Sequence, residues 1–153
     1  MQQVKIIEYA DQYAADFRRL NLEWLDHYQL TETHDLMVLD DPDGTILKRG
    51  GVIYLAECDG QIIGSAALMN EEGGVYELAK MSVAKEFRGR GISRSLIEKC
   101  LEKAKQLEAK KILLFSNHQL LTAISLYEKY GFRHIEVKDS PFATADIKME
   151  LSL

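Results

Sequence analysis

The sequence lacks the features that mark membrane-spanning and secreted proteins. Its 153 residues contain no apolar run long enough to span a bilayer. The N-terminus has neither the long apolar region nor the small-residue cleavage site of a signal peptide. We therefore expect a cytoplasmic protein with no membrane partner.

Cysteine and proline are also scarce. Cys58 and Cys100 stand 42 positions apart and neither belongs to a CxxC pair, so we expect two separate buried or half-buried thiols rather than a disulfide. Pro42 and Pro141 are the only prolines, and the chain has no Pro-rich linker, internal repeat or low-complexity tract. A chain of this length suits one hydrophobic core, which predicts a single domain over residues 1–153.

Fingerprints of metal and nucleotide sites are missing as well. The four histidines show no metal-ligand spacing, and neither GxGxxG nor GxxxxGK[ST] occurs. The net charge of -5 argues against a general binder of nucleic acid. We expect no metal and no nucleic-acid partner.

What the sequence does contain is an alternation of strand and helix patterns. Strands are predicted at residues 4–9, 51–58, 61–70, 75–83 and 110–116, with two more after residue 132. Helices are predicted at residues 11–28, before the Asp-Pro-Asp-Gly turn at 41–44, after residue 92 and at 120–132. Asp11 is the predicted cap of the first helix, Gly131 the end of the last, and Asp59-Gly60 a hairpin turn. This order predicts an α/β domain (α+β, mixed sheet) with a central sheet of about seven strands flanked by four helices.

The stretch EFRGRGISRSL, residues 86–96, places glycines and arginines at the start of a predicted helix. The first amides of a helix have no intrahelical acceptor and carry partial positive charge. Gly89 and Gly91 let the backbone approach a ligand, while Arg88 and Arg90 add forked donors for phosphate oxygens. These features favour a pyrophosphate site. The alternative is a tight turn with solvated arginines.

Two motifs resemble the GNAT acyltransferase superfamily. Arg88-x-x-Gly91-x-Ser93 follows a strand that ends in KMSV, and LYEKYGF lies at residues 126–132. The usual signature of the family is Gln/Arg-x-x-Gly-x-Gly/Ala, so Ser93 departs from it at the last small residue. The order of predicted elements is similar to that fold across essentially the whole chain. ELAKMSV and ADIKMEL further resemble a bacterial subgroup of small members with poorly defined acceptors.

The resemblance implies an N-acetyltransferase that moves an acetyl group from acetyl-CoA, its cosubstrate, to a primary amine within a ternary complex. The pyrophosphate would lie on the amides of residues 88–93. The pantetheine would pair with the backbone of Met81 and Val83, where the strand ending KMSV splays from KILLFS. The implied cofactor-binding residues are Met81, Ser82, Val83, Arg88, Gly89, Arg90, Gly91, Ile92, Ser93, Asn117 and Tyr127.

The resemblance also assigns roles to three polar side chains. Tyr127 would protonate or stabilise the departing thiolate, the alternative being a core aromatic. Glu77, six residues before Val83, is the candidate general base, the alternatives being a solvated glutamate, a partner for Lys80, or a water chain in place of a single base. Asn117 would contact the pantetheine, but three extra residues in NHQLLTA leave a turn-forming role open.

The acceptor is left open by the sequence. Trp24, His27, Tyr28 and His34 are candidates for its wall, because the first two helices usually cover the acceptor pocket in this fold; a helix packed on the sheet is the alternative. Net acidity favours a cationic or neutral amine, and both small molecules and peptides fit. Dimers are common in the family, so a homodimer is compatible with the resemblance.

Two other functions compete with the enzyme. One is a non-catalytic acyl-CoA-binding regulatory module on the same fold, against which the presence of Tyr127 and Glu77 argues. The other is a nucleotide-phosphate binder of another class, against which the missing fingerprints argue.

Overall fold

A mixed seven-stranded sheet forms the centre of the protein. The computed structural model describes residues 3–153. The strands are β1 (Val4–Glu8), β2 (Val52–Cys58), β3 (Gln61–Asn70), β4 (Val75–Val83), β5 (Lys111–Ser116), β6 (Arg133–Ile135) and β7 (Ile147–Ser152). Their order across the sheet is β1-β2-β3-β4-β5-β7-β6, and within residues 3–153 only the β4–β5 pair is parallel. The α-helices are α1 (Ala14–His27), α2 (Thr33–Asp40), α3 (Ile92–Gln106) and α4 (Leu121–Lys129). The predicted fold class is confirmed.

The helices cover both faces of this sheet. Alternate residues of β2 enter different apolar clusters, because successive side chains of a strand point to opposite faces. Tyr54 and Ala56 join a cluster with residues of α3 and α4, whereas Ile53 and Leu55 join one with residues of α1 and α2. No helix within residues 3–153 combines the length and the apolar character needed to cross a membrane.

Several local predictions can be compared with the structure. The turn at Asp59 and Gly60 has positive φ at both residues, as a two-residue hairpin requires. Gly131 follows α4 with φ +98°, which confirms the predicted helix end. Cys58 and Cys100 are both buried free thiols, as predicted.

The prediction that Asp11 caps the first helix is wrong. The amide of Tyr13 donates to the carbonyl of Ala10, which closes a 3-10 turn over Asp11–Tyr13. Asp11 therefore lies inside that turn, and α1 begins only at Ala14 without a side-chain cap.

The parallel pair β4–β5 separates after three residues. Val75, Tyr76 and Glu77 pair with residues 111–113, and no further pairing joins the two strands. Both strands nevertheless continue, since β4 stays paired to β3 as far as Val83 and β5 stays paired to β7 as far as Ser116. The sheet therefore opens into a wedge beyond Glu77, where the resemblance implies a splay.

Strand β4 also contains a β-bulge where it pairs with β3. Ser65 pairs with Ser82 and Ala67 pairs with Ala79, so the single residue between them on β3 opposes two residues of β4, 80 and 81. Lys80 adopts φ +53°, a conformation that lysine seldom takes. Such a bulge redirects the side chains that follow it.

Buried hydrogen bonds link this bulge to α1. The Ser65 hydroxyl donates to the Lys80 carbonyl (2.6 Å), lies 2.9 Å from the Ser82 hydroxyl, and accepts from Asn21 Nδ2 (3.0 Å). The Asn21 amide also donates to the Phe17 carbonyl at 2.9 Å. Hydrogen bonds from Ser65 on β3, which is itself bonded to Asn21 on α1, thus hold the strained backbone at residue 80.

We predict that Ser65→Ala destabilises the protein. The substitution leaves buried partners of the hydroxyl unsatisfied, which costs about 1–3 kcal/mol. Urea unfolding should show this loss, whereas the control Ser95→Ala, which removes an exposed hydroxyl bonded to Gly91, should leave stability nearly unchanged. Equal stability of the two variants would contradict the role given to Ser65.

Candidate active site

A cavity of about 750 Å³ lies where β4 and β5 separate. Its volume is typical of sites that bind small molecules and cofactors. Its walls come from α1, α2, β4, the loop before α3 and the start of that helix, the end of β5, α4 and residues 142, 144 and 145. The predicted site residues on its wall are Glu77, Met81, Ser82, Val83, Arg88, Gly89, Gly91, Ile92, Ser93, Asn117 and Tyr127. The structure therefore brings together all but one of the residues implied by the two motifs.

Arg90 is the exception. It does not line the cavity, and its guanidinium carbon lies 4.9 Å from the centre of the Phe87 ring. Arg94, by contrast, does line the cavity. In the sequence, Arg94 falls on the polar face of the predicted helix, opposite its apolar stripe, and nothing else in the sequence marks it as a site residue.

The glycine loop presents the N-terminus of α3 to the cavity. Gly89 and Gly91 both have φ +78°, and a Cβ at either would meet no atom within 4 Å. Their backbone conformation, rather than lack of space, therefore favours glycine. Ser95 is the first residue of α3 whose amide has a helical acceptor, the Gly91 carbonyl. The earlier amides, including those of Ile92 and Ser93, are available to an anion.

Arg88 connects this loop to two other elements. Its Nε donates to the Val83 carbonyl at 3.3 Å, and its guanidinium carbon lies 4.6 Å from the centre of the Trp24 ring. The stack fixes the side chain between β4 and α1. The forked donors that the sequence predicted for a phosphate are therefore held at the wall of the cavity.

Glu77 lies at the fork between β4 and β5. Its side chain is buried, with 5% of the residue exposed. Burial and the nearby charge of Glu71 raise the pKa of Glu77 to about 7, although Lys80 opposes this shift. The alternative of a solvated glutamate is wrong, because the residue is buried even though it lines the cavity.

A buried ion pair faces the same cavity. Lys80 Nζ lies 2.5 Å from Asp35 Oδ1, and both side chains are at most 5% exposed. Asp35 Oδ2 also accepts the Glu32 amide at 2.9 Å, which caps α2. The sequence did not reveal this pair, because its members are 45 positions apart.

The loop before β7 is hydrogen-bonded to Glu32, the residue that precedes α2. The Glu32 carboxylate accepts the amides of Ala143 (2.8 Å) and Thr144 (3.0 Å) and the Thr144 hydroxyl. Burial raises the pKa of Glu32, but these bonds from Thr144 and Ala143 outweigh it and hold the pKa below its ordinary value. Glu32 is thus an anchor that joins α2 to residues 143–144.

Asn117 forms part of the same anchorage. Its Nδ2 donates to the Thr144 carbonyl at 2.8 Å, and its Oδ1 accepts the Gln119 amide at 3.0 Å. These bonds favour the turn-forming role that the sequence left open. A contact between Asn117 and a pantetheine stays a prediction.

Tyr127 projects from α4 into the buried part of the site, with 7% of the residue exposed. Its ring packs edge-on against Phe132 at 5.9 Å. No residue among 3–153 hydrogen-bonds its hydroxyl. Burial, with a smaller effect of Cys100, raises the pKa of Tyr127 far above its ordinary value, so the phenol stays protonated and can donate.

Of the four candidates for the acceptor wall, Trp24 and Tyr28 line the cavity. His27 and His34 do not, and they pack edge-on against Tyr28 and Phe142 respectively. Within the described part of the chain, no group of three His, Cys, Asp or Glu side chains is arranged to hold a metal ion.

Comparison with known proteins identifies the family. A model of the GNAT acetyltransferase domain matches residues 49–134, more than half of the chain. The chain belongs to the GNAT family of N-acetyltransferases.

Individual relatives agree with this assignment. The N-acetylaspartate synthetase of Xenopus tropicalis is 38% identical over 58% of this chain and 33% of its own length. The match thus spans about a third of that relative. A GNAT-family acetyltransferase structure from Staphylococcus aureus Mu50 has a TM-score of 0.90 at 23% identity, over 98% of this chain and 99% of that one. The PaiA N-acetyltransferase of Thermoplasma acidophilum, solved in complex with coenzyme A, has a TM-score of 0.78 at 15% identity, over 99% of both chains.

The raised pKa of Glu77 makes stability depend on pH. Its folded-state pKa of about 7 exceeds the ordinary value of 4.5. The folded protein therefore holds a proton that the unfolded chain has lost, and stability falls as pH rises from about 4.5 to about 7. The shift corresponds to about 3 kcal/mol.

We predict that Glu77→Gln removes this loss. Urea unfolding across pH 5–8 should show the variant gaining stability relative to the wild type as pH rises. The exposed control Glu102→Gln should follow the wild-type profile. A constant difference between Glu77→Gln and wild type across this range would contradict the burial of an ionisable Glu77.

Proposed function

We propose that the protein is an acetyl-CoA-dependent N-acetyltransferase that transfers acetyl directly to a primary amine in a ternary complex. One observation carries this proposal. A single cavity extends from the free amides at the start of α3 to the gap between β4 and β5, and it holds Glu77 and Tyr127 on its wall.

The residues present fit coenzyme A. The loop amides and Arg88 suit its pyrophosphate. Beyond Glu77, the edge of β4 that faces β5 has no strand partner, so its backbone groups around Met81 and Val83 can pair with the amides of an extended pantetheine. The exception is the Val83 carbonyl, which already accepts Arg88 Nε. The Thermoplasma PaiA protein supports this choice, since it has the same fold and binds coenzyme A.

Glu77 supplies a base suited to an amine acceptor. Amines arrive mostly protonated, with pKa values of about 7.7–8.0 for an α-amine and about 10.4 for a lysine-type amine. A base is most effective when its pKa lies near the working pH, and that of Glu77 is about 7. Glu77 would take the proton before the nitrogen attacks the thioester carbonyl.

Two groups would act at the thioester. A backbone N–H of β4 near Met81 would polarise its carbonyl. Tyr127, protonated and without a hydrogen-bond partner among the described residues, would donate to the departing thiolate. No buried polar side-chain atom among the described residues lacks a hydrogen-bond partner, so the unpaired hydroxyl is open to the cavity, where it can reach a ligand.

The proposal extends to the domain and its acceptor class. Residues 1–153 would form one catalytic domain acting on a small-molecule or peptide amine. The name of the Xenopus relative denotes synthesis of an N-acetylated compound, which is compatible with an amine acceptor here.

Release of CoA from acetyl-CoA, measured over a panel of primary amines, tests the function. We expect at least one class of amine to accelerate release well above slow hydrolysis. If the protein bound CoA tightly and no amine accelerated release, a non-catalytic acyl-CoA-binding module would replace the enzyme. If ATP or NAD stabilised the protein against heat at least as much as CoA, a nucleotide-binding function would replace both.

We predict that Tyr127→Phe lowers kcat by about 100- to 1000-fold, a loss of the size seen when one transition-state donor is removed. The CoA dissociation constant should change little, because the ring still packs on Phe132. The control is Tyr130→Phe, whose hydroxyl bonds to Glu98 outside the cavity and whose loss should leave kcat unchanged. Equal effects on kcat and CoA affinity would contradict the role of Tyr127 as the acid.

A further inference from the structure

The β4 bulge determines where Lys80 points. Along β4, Glu77 and Ala79 face α1 and α2, and regular alternation would send residue 80 to the opposite face. The extra residue places Lys80 on the same side as Ala79, where it reaches Asp35 on α2. Without the bulge, this ammonium would face the apolar cluster beneath α3. The strained φ at Lys80 therefore brings a charge into the cavity.

This ammonium has more donors than the protein satisfies. A lysine ammonium carries three N–H donors. Among residues 3–153, Asp35 is the only hydrogen-bond acceptor for Lys80 Nζ, and the Phe142 ring lies 5.4 Å away. The side chain is 5% exposed and lines the cavity. Two donors of a nearly buried cation are thus left for a ligand, and a buried donor without a partner is costly.

Asp35, in contrast, has a hydrogen-bond partner on each carboxylate oxygen. One carboxylate oxygen accepts Lys80 and the other accepts the Glu32 amide at the start of α2. The helix N-terminus stabilises the negative charge of Asp35, so Lys80 is not its only source of compensation. Lys80 can therefore attract a second anion.

We propose that Lys80 binds the carboxylate of the acceptor, and that the acceptor is a free amino acid rather than a simple alkylamine or a peptide N-terminus. This inference rests on the proposed function, because it places the amine of the same molecule at Glu77.

The charges around the cavity suit such a zwitterion. Glu77 and Asp35 face it from β4 and α2, Glu71 lies near Glu77, and Lys80 stands among them. Glu32 is already engaged by residues 143–144. A bound amino acid would place its ammonium beside Glu77 and Asp35 and its carboxylate beside Lys80. It would thus compensate charges of both signs without adding net charge. A simple amine leaves Lys80 unsatisfied, and a peptide N-terminus has no α-carboxylate beside its nitrogen.

Matched pairs of acceptors test the inference on the wild-type protein. Glycine, alanine, leucine and aspartate are each compared with their α-carboxamides by the rate of CoA release. We expect kcat/KM to be about tenfold or more higher for the acid, the value of a hydrogen bond to a charged group. The amine of the amide is less strongly protonated than that of the acid, so more of it is ready to react. This difference favours the amide and therefore works against the expected result. Equal values for acid and amide would overturn the inference while leaving the N-acetyltransferase intact.

Variants of Lys80 test whether this residue causes the preference for the acid over the amide. Lys80→Met should bring the ratio of acid to amide close to 1, and Lys80→Arg should retain part of it. The matched control is Lys48→Met, which breaks an exposed pair with Asp43 (3.3 Å) outside the cavity and should leave the ratio unchanged. A Lys80→Met protein that still binds CoA and keeps the wild-type ratio would also overturn the inference. Should Lys80→Met fail to fold, the wild-type pairs and Lys80→Arg still decide it.

A binding readout separates this inference from the proposed function. The same amino acids should raise the melting temperature of the wild-type protein saturated with CoA, and should do so less for Lys80→Arg and not at all for Lys80→Met. Such stabilisation, with no turnover of any amine in the panel, would contradict the enzyme and support the carboxylate site. If no amino acid either stabilised the protein or was turned over, this inference would be rejected, and turnover of another amine would leave the proposed function intact.

Discussion

The site depends on where one strand stops pairing. On one side, β4 stays hydrogen-bonded to β3 to its end, and on the other it loses β5 after Glu77. Backbone groups that a closed sheet would consume are therefore left along one edge, next to a cavity. The same fork places Glu77 at the apex of the wedge and lets α3 present its first amides to the opening. A sheet paired throughout would have neither the space nor the free backbone.

Burial gives the polar groups of this wedge different properties. It raises the pKa of Glu77 to about 7, where a carboxylate can take up and release a proton near neutral pH. It keeps the Tyr127 phenol protonated. Lys80 is paired with Asp35, which in turn accepts the Glu32 amide at the start of α2. One apolar environment thus yields a base, a donor and a fixed cation, because each has different neighbours.

Local patterns in the sequence were sufficient for most of the fold and for part of the site. Strand β4 was predicted at its observed bounds, since turn residues precede it and the glycine loop follows. The loop and Tyr127 were found from motifs whose residues lie close together in the chain. The Asp35–Lys80 pair and the Glu32–Thr144 anchor were missed because they join residues 45 and 112 positions apart. Asp11 was assigned as a cap because a 3-10 turn before a helix leaves no distinct pattern.

A crystal structure with bound coenzyme A tests the central claim most directly. We predict the pyrophosphate on the amides between Gly89 and Ser93, with the pantetheine hydrogen-bonded to β4 around Met81 and Val83 and its sulfur between Glu77 and Tyr127. Coenzyme A bound elsewhere, or β4 and β5 closed against each other along their length, would contradict the account.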